Sequence, residues 1–430
     1  MSPSSRIASL HGREILDSRG NPTLAVTVVL ESGIEATAAV PSGASTGAQE
    51  AVELRDRDAI RFGGKGVLHA IGRVEGPLVA AVQGYDVCDQ ATLDHAMIAL
   101  DGTPNKARLG ANAILGVSMA AARAAAIVQG VPLYEQLGGP AAHVLPVPSF
   151  NVLNGGKHAD SGVDFQEFMI MPIGAPSFAE ALRYGAETYA ALRTLLQDEQ
   201  LNTSVGDEGG FAPGFDAQAI HASLSLIVKA IEKAGYRPGA DIAIALDPAA
   251  SSFRAGDSYE VRPSSGGPFD RAGLLAFYDK LLGEFPIVSI EDGFADDDWQ
   301  GFVDQTAAQG QRIQVMGDDI TVTNPKFIQE AIDRKAMNAV LIKLNQIGTV
   351  TETVDAVNLC HKAGWRTMVS HRSGETNDDF IADFAVAIGA GQIKSGAPCR
   401  GERLAKYNRL LDIERSLGRR AVFQNPFRTR

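Results

Sequence analysis

The stretch Asn338-Ala-Val-Leu-Ile-Lys-Leu-Asn-Gln-Ile-Gly348 sets one lysine, Lys343, at the end of a short apolar run that reads as a fully buried strand. Burial disfavours the charged form of an amine and lowers its pKa, which is how a lysine becomes able to accept a proton near neutral pH. The same stretch is equally compatible with a lysine that ends the strand and snorkels outward. Its neighbours in the chain discriminate. Ile242-Ala-Ile-Ala-Leu ends at Asp247, Ile287-Val-Ser-Ile at Glu291, Ile313-Gln-Val-Met-Gly at Asp318, Met368-Val-Ser at His371 and Gln392-Ile at Lys394. From Glu291 the steps are 27, 25, 28 and 23 residues, each the length of a strand, a helix and two loops. The segments between them read as helices: Arg271 to Leu282 behind Asp270 as N-cap, Asn324 to Arg334, and Thr351 to Lys362 before Gly364. This is the rhythm of a β/α barrel, and a barrel opens its strand C-termini on one face, so these six side chains are expected to meet in one mouth.

The fold class expected is therefore α/β, a C-terminal TIM-like β/α barrel over residues 141–430 with a smaller α+β capping domain over 1–140, joined at Gly138-Gly-Pro-Ala. The N-terminal part begins as a small antiparallel meander, Ile7 to Leu10, Thr23 to Leu30 and Ile34 to Val40. A polar loop follows, Pro41-Ser-Gly-Ala-Ser-Thr-Gly47, suited to a flap or to a plain surface loop, and from Ala48 to about Ala141 the pattern reads as helical, with an Ala-rich stretch from Asn112 to Val128. Within the barrel, Val147 to Val152 and Val163 to Pro172 read as strands, the second carrying Gln166 and Glu167. Ser177 with Glu180 makes a capping box for a helix to about Glu199. Ser204 to Pro213 reads as a strand end that delivers Asp207 and Glu208, and Ser251 to Phe269 as a second lid or a surface insertion.

Composition bounds the function. The chain is 45% hydrophobic and 21% charged, as soluble globular proteins are, and its net charge of −12 disfavours nucleic acid and anionic membrane as partners. No apolar run is read as reaching membrane-spanning length, and the N-terminus lacks a secretion signal's apolar core, so a cytoplasmic location is expected. Three scattered cysteines argue against disulfides and thiolate zinc.

Asp247, Glu291 and Asp318 offer only oxygen ligands, the set preferred by Mg2+ or Mn2+, the alternative being three separately solvated acids. A metal beside a lysine suits proton abstraction next to a carboxylate, where the intermediate gains a second negative charge. The chain resembles the enolase family through Glu14 to Thr23, Asn112 to Ser118, Gly206 to Pro213, Gly317 to Pro325, Leu344 to Thr349 and, above all, Ser370-His-Arg-Ser-Gly-Glu-Thr376. That superfamily is known for a lysine or histidine base and one or two Mg2+ ions that hold an ene-diolate.

The resemblance implies reversible dehydration of 2-phosphoglycerate to phosphoenolpyruvate in glycolysis and gluconeogenesis. It implies two Mg2+ per active site, with Mn2+ as substitute, the first held by Asp247, Glu291 and Asp318 and the second by Ser42 of the flap. Lys343 would be the base at C2, and Glu208, supported by Glu167 and with His371 close by, the acid at the C3 hydroxyl. Arg372 and Ser373 would hold the phosphate and Lys394 the carboxylate, while His158 and Gln166 would line the site. A homodimer or higher homo-oligomer is implied too, without a membrane span, in a family where a surface or secreted pool by non-classical export also occurs. Gly293, Ser252, Ala25 and Ser395 depart from the family's usual residues without removing any of these groups. Two rivals remain at this level: a relative that enolises a carboxylate lacking phosphate, and a non-catalytic binding protein on the same scaffold.

Overall fold

A computed structural model of the chain describes residues 4–43, 47, 49–156, 162–215, 218–261 and 267–428. Its centre is a closed eight-stranded barrel in which each strand pairs with the next in the chain: Val147–Asn154, Glu167–Met171, Ala243–Asp247, Ile287–Glu291, Gln314–Gly317, Ala339–Ile342, Arg366–Ser370 and Gln392–Lys394, the last closing on the first. Apart from two half-buried side chains, Val288 and Arg366, these strands are buried along their length, as strands covered on both faces must be. The expected outer helices are present, capped where their first residues indicate. Ser177 accepts from the Glu180 amide, Asp270 from Gly273, Asn324 from Lys326 and Thr349 from Glu352.

Two features depart from the simple β/α rhythm. The Glu167–Met171 strand runs antiparallel to both neighbours, with Glu167 opposite Asn154 on one side and Asp247 on the other. Its N-terminal end therefore opens on the mouth, and Glu167 arrives there from the start of a strand. Ser204 to Pro213 forms no barrel strand. It is a turn-rich segment with single bridges of Phe211 to Val205 and Leu153.

Ahead of the barrel, strands Ile7–Leu16, Pro22–Leu30 and Glu35–Ala39 form an antiparallel sheet. Residues 49–61 are non-helical, where the sequence pattern suggested helix; helix begins at Leu68–Arg73, continues through Val79–Val82, and returns at Gln90–Asp101, Ala111–Gln129 and Leu133–Gly138. The helix Ala111–Gln129 does have the length and apolarity of a membrane span, contrary to the expectation that no run approaches it. It is mostly buried against the sheet as the core helix of this part of the chain. This part sits over the barrel mouth, tied to it by Asp94, which accepts from the Thr351 amide and hydroxyl, and by Arg123, which donates to Asp378 and Asp379.

Gly138, expected in a linker, is the last residue of a helix packed on the barrel helix Phe380–Ala387, and a Cβ there would stand 2.1 Å from the Ala387 carbonyl oxygen. Backbone cannot yield as a side chain end does. Gly138→Ala is expected to lower stability by about 1–3 kcal/mol through forced separation of the two helices, read as a lower urea midpoint. A midpoint equal to wild type would mean that this contact is not under steric constraint.

Candidate active site

Five of the six strand-end side chains meet in one cleft as expected, and the sixth, Glu291, stands beside it in contact with Lys394. The Lys394 ammonium lies 2.7 and 2.8 Å from the two Glu291 oxygens, 3.2 Å from Glu167 Oε2 and 3.6 Å from Asp247 Oδ2. One strand over, Lys343 donates to Asp318 Oδ2, whose other oxygen accepts from Gln346 Nε2 at 2.9 Å. Gln166 Nε2 donates to Asp247 at 3.2 Å. Beneath lies Asp292, which the sequence reading missed although it follows Glu291 directly. Its two oxygens accept the amides of Asp318 and Asp319, each at 2.9 Å.

The electrostatics are those of too many acids for the cations at hand. Burial, then Asp247, against the pull of Lys394, pushes Glu291 up to about 8. Burial, then Asp318, pushes Asp319 up to about 7. Glu167 is held well above the carboxylate range by burial and then by Glu208, and Asp292 by burial and then by Asp319 and Asp318. Lys343 differs from its sequence-based expectation. Burial, the largest single influence, pulls it down, but the surrounding carboxylates, Asp318 foremost and then Asp319, together leave the ammonium raised.

These residues fit a divalent cation. The donors are all carboxylate oxygens, with ligand atoms of Asp292, Asp318 and Asp319 within 4.8 Å of one another, and an ammonium already collects the oxygens of Glu291, Glu167 and Asp247. Buried acids that retain protons for want of positive charge are the environment a hard cation relieves.

The acid side comes from loops. Glu208 is carried by the turn Gly206–Gly210, and its Oε2 accepts from Asn151 Nδ2 at 3.1 Å and lies 3.4 Å from His371 Nε2. Burial, against Glu208 and aided by Arg403, pushes His371 down to about 4, so the ring is neutral. Arg372 forms a two-pronged pair with Glu50, each bond 3.0 Å, and also donates to Asn345 at 2.9 Å. Ser373 stands next to it, its carbonyl accepting from Ser18 at 3.2 Å.

Ser42 is not among the carboxylates. It is fully buried, donates to Asp17 Oδ2 at 2.7 Å and accepts from Arg19 at 3.3 Å, because the N-terminal turn Asp17–Asn21 grips the base of the flap. His158 lies outside the described residues. Glu50, Asn345, Asn151 and Arg403 were not found from sequence. Only the closeness of Glu50 to the flap could have drawn attention to it. Of the departures, Gly293 has a physical account. A Cβ there would meet the fully buried Gln305 amide at 2.8 and 3.0 Å, so Gln305 occupies the space that a proline ring would take. Ser395 buries its hydroxyl without a hydrogen-bond partner among the described residues. Nothing in the structure explains Ser252 or Ala25.

A model of the enolase N-terminal domain matches residues 7–137, and a model of the enolase C-terminal TIM barrel domain matches residues 142–428. The chain is 59% identical to Enolase 1 of Methylococcus capsulatus over 418 residues, 97% of this chain and 99% of the relative. It is 58% identical to Enolase of Rubrobacter xylanophilus over 417 residues, 97% of this chain and 96% of that one. Enolase of Desulfotalea psychrophila is 55% identical over 419 residues, with 97% and 99% covered.

The carboxylate cluster makes a direct prediction. Glu291→Ala and Asp318→Ala should each weaken divalent-cation binding at least about tenfold, the smallest loss that even an outer-sphere partner brings, with an unchanged far-UV spectrum. Equilibrium dialysis with Mg2+ or Mn2+ measures it, and wild-type affinity in either variant would remove that residue from the ligand set.

Proposed function

Because the chain belongs to the enolase family, we propose that its barrel mouth divides the work of that family's reaction between strand ends and loops. The enzyme is a phosphopyruvate hydratase, a hydro-lyase of glycolysis that interconverts 2-phospho-D-glycerate and phosphoenolpyruvate with a divalent metal cofactor. On our reading, Lys343 is the base at C2. The contact with Asp318 that keeps its proton in place must loosen before it can act, since only the neutral amine accepts a proton. Glu208 is the acid at the C3 hydroxyl. The single observation that carries this assignment is the placing of buried Glu208 between His371, 3.4 Å from its Oε2, and Glu167, whose pKa burial and then Glu208 raise well above the usual carboxylate range.

Arg372 takes the phosphate, its fork suited to two oxygens at once, as its paired bonds to the two oxygens of Glu50 illustrate. Ser373 assists it, Lys394 answers the substrate carboxylate, and Gln166 lines the site. Asp247, Glu291 and Asp318 hold the metal, which we take to be Mg2+, replaceable by Mn2+. It supplies Lewis-acid stabilisation of the charge that develops on the substrate carboxylate. A second ion would be held through Ser42, whose hydroxyl donates its proton to Asp17 and so leaves oxygen lone pairs for a metal. We further propose a cytoplasmic homodimer or higher oligomer. Leu16, 58% exposed, and Val205, 41% exposed, are apolar side chains left in solvent two residues before Ser18 and one before Gly206, whose carbonyls both accept from Arg400, and a second copy of the chain would cover them.

A stepwise elimination gives separable variants. In deuterated water, Lys343→Ala should lose both C2 proton exchange and turnover, whereas Glu208→Gln should lose dehydration and retain exchange, as followed by proton NMR of 2-phosphoglycerate. Exchange that survives in the lysine variant, or vanishes equally in both, would refute the division. Arg372→Lys keeps the charge but not the fork, and should raise KM for 2-phosphoglycerate by about tenfold, equivalent to one charge-assisted hydrogen bond. Unchanged kinetics would release Arg372 from the phosphate.

A further inference from the structure

Arg403, on the C-terminal helix Gly401–Leu417, is fully buried beside the His371–Ser373 segment and has no part in the roles assigned above. Its Nη1 donates to His371 Nδ1 and to the Arg372 carbonyl, both at 2.6 Å. Its Nη2 donates to the Ser373 carbonyl at 2.7 Å, the Asp207 carbonyl at 3.1 Å and the Ser18 hydroxyl at 3.4 Å. One turn further along the helix, Lys406 donates to Glu375 Oε2 at 2.8 Å, while Glu375 Oε1 accepts the Arg372 amide at 3.2 Å. The segment that bears the histidine and the phosphate arginine is thus held from below by two buried cations of one helix.

A guanidinium has only donors and does not deprotonate in proteins. The ring nitrogen it meets must therefore offer a lone pair, and a neutral imidazole with its lone pair at Nδ1 carries its proton on Nε2. The charged groups that face this ring are Glu208 from the Gly206–Gly210 turn, Arg403 from the C-terminal helix and Glu375 from the ring's own segment, and burial keeps the ring neutral among them. Nε2 lies 3.4 Å from Glu208 Oε2, the oxygen that already accepts from Asn151 Nδ2. At 3.4 Å Nε2 makes no hydrogen bond to Oε2, yet an N–H there stands beside the oxygen that Asn151 already occupies, so the proton that Glu208 carries as an acid belongs on Oε1.

We propose that Arg403 is a positioning residue for dehydration: by occupying His371 Nδ1 it holds the imidazole as the neutral Nε2–H tautomer, and through that N–H it keeps the acidic proton of Glu208 on Oε1. Without Arg403 the ring is free to carry its proton on Nδ1 and turn a lone pair toward Glu208. The carboxyl proton would then move to Oε2 to bond with that lone pair, away from the C3 hydroxyl. The second half of the proposal rests on the assignment of Glu208 as the acid, and the first half does not.

The test is the long-range proton–nitrogen NMR spectrum of the whole enzyme labelled in its histidine rings, with the His371 signals identified by their loss in His371→Gln. At neutral pH, wild type should show Nε2 protonated and Nδ1 bare. Arg403→Met should shift the ring toward Nδ1–H and lower kcat by about ten- to a hundredfold, the worth of a hydrogen bond to a charged group, with KM changed by less than about threefold and C2 exchange retained. Arg403→Lys, also a pure donor, should restore the wild-type tautomer. Should Arg403→Met fail to fold, the wild-type spectrum still decides the tautomer. His371→Gln, which keeps an N–H at the Nε2 position, should then turn over faster than His371→Asn, which does not reach it. An Nδ1–H or doubly protonated ring in wild type, or an unchanged tautomer in folded Arg403→Met, overturns the proposal. The expected tautomer together with wild-type dehydration by Glu208→Gln would overturn the proton placement alone and mark the failure as that of the acid assignment.

Discussion

Six carboxylates, those of Glu167, Glu208, Asp247, Glu291, Asp292 and Asp318, are buried at one end of the barrel with two lysine ammoniums among them. An unpaired buried charge costs several kcal/mol, so the arrangement stands only if nearly every negative charge is met by a cation, a proton or a set of amides. Asp292, its pKa raised by burial and then by Asp319 and Asp318, accepts the amides of Asp318 and Asp319, which fixes the strand end that follows it. Glu167 has its pKa raised well above the usual carboxylate range by burial and then by Glu208. Lys394 serves Glu291, Glu167 and Asp247 together and so sets the spacing of three strand ends. The charge that serves catalysis is also what fixes the geometry of the mouth.

Strand ends alone do not build the site. The segment from His371 to Thr376 is held from three directions, by Arg403 and Lys406 of the C-terminal helix, by Ser18 of the N-terminal turn and by Glu50 beyond the flap. Ser18 also donates its amide to the Glu375 carbonyl and accepts from the Glu375 amide. The turn Asp17–Asn21 therefore couples Ser42 to the segment His371–Thr376, and the N-terminal part of the chain takes part in the cleft as well as covering it.

The barrel was legible because its signal is local and periodic: an apolar run, a reactive residue and a capped helix, repeated at nearly constant spacing. Lys343, Asp318, His371 and Lys394 each follow or end such a run, and their convergence required only the common direction of the strands. What was not legible depended on pairing between distant segments. Nothing in Val163 to Pro172 announces that its strand is antiparallel, since an antiparallel strand buried on both faces is as uniformly apolar as a parallel one. Arg403 reads as one arginine in a charged helix until that helix is docked. The lowered pKa expected for Lys343 followed from burial alone, which cannot register a carboxylate that arrives 25 residues earlier in the chain.

The antiparallel strand explains why base and acid come from differently built parts of one cleft. In an all-parallel barrel every mouth residue sits at a strand C-terminus, ahead of a helix, and one strand supplies one position. Reversal of the second strand puts Glu167 level with Asp247 and Asn154, so a third residue enters the ring of strand ends without lengthening any loop. That residue is the one Glu208 needs beside it, and Glu208 itself stands on a turn anchored through Arg403 and Asn151. The proposed metal ligands and base thus rest on the stiffest part of the fold, whereas the proposed acid and phosphate clamp rest on segments that the C-terminal helix and the N-terminal turn hold by hydrogen bonds. Such bonds can shift as substrate enters, and a strand ladder cannot, so adjustment to the substrate falls to the acid side of the site.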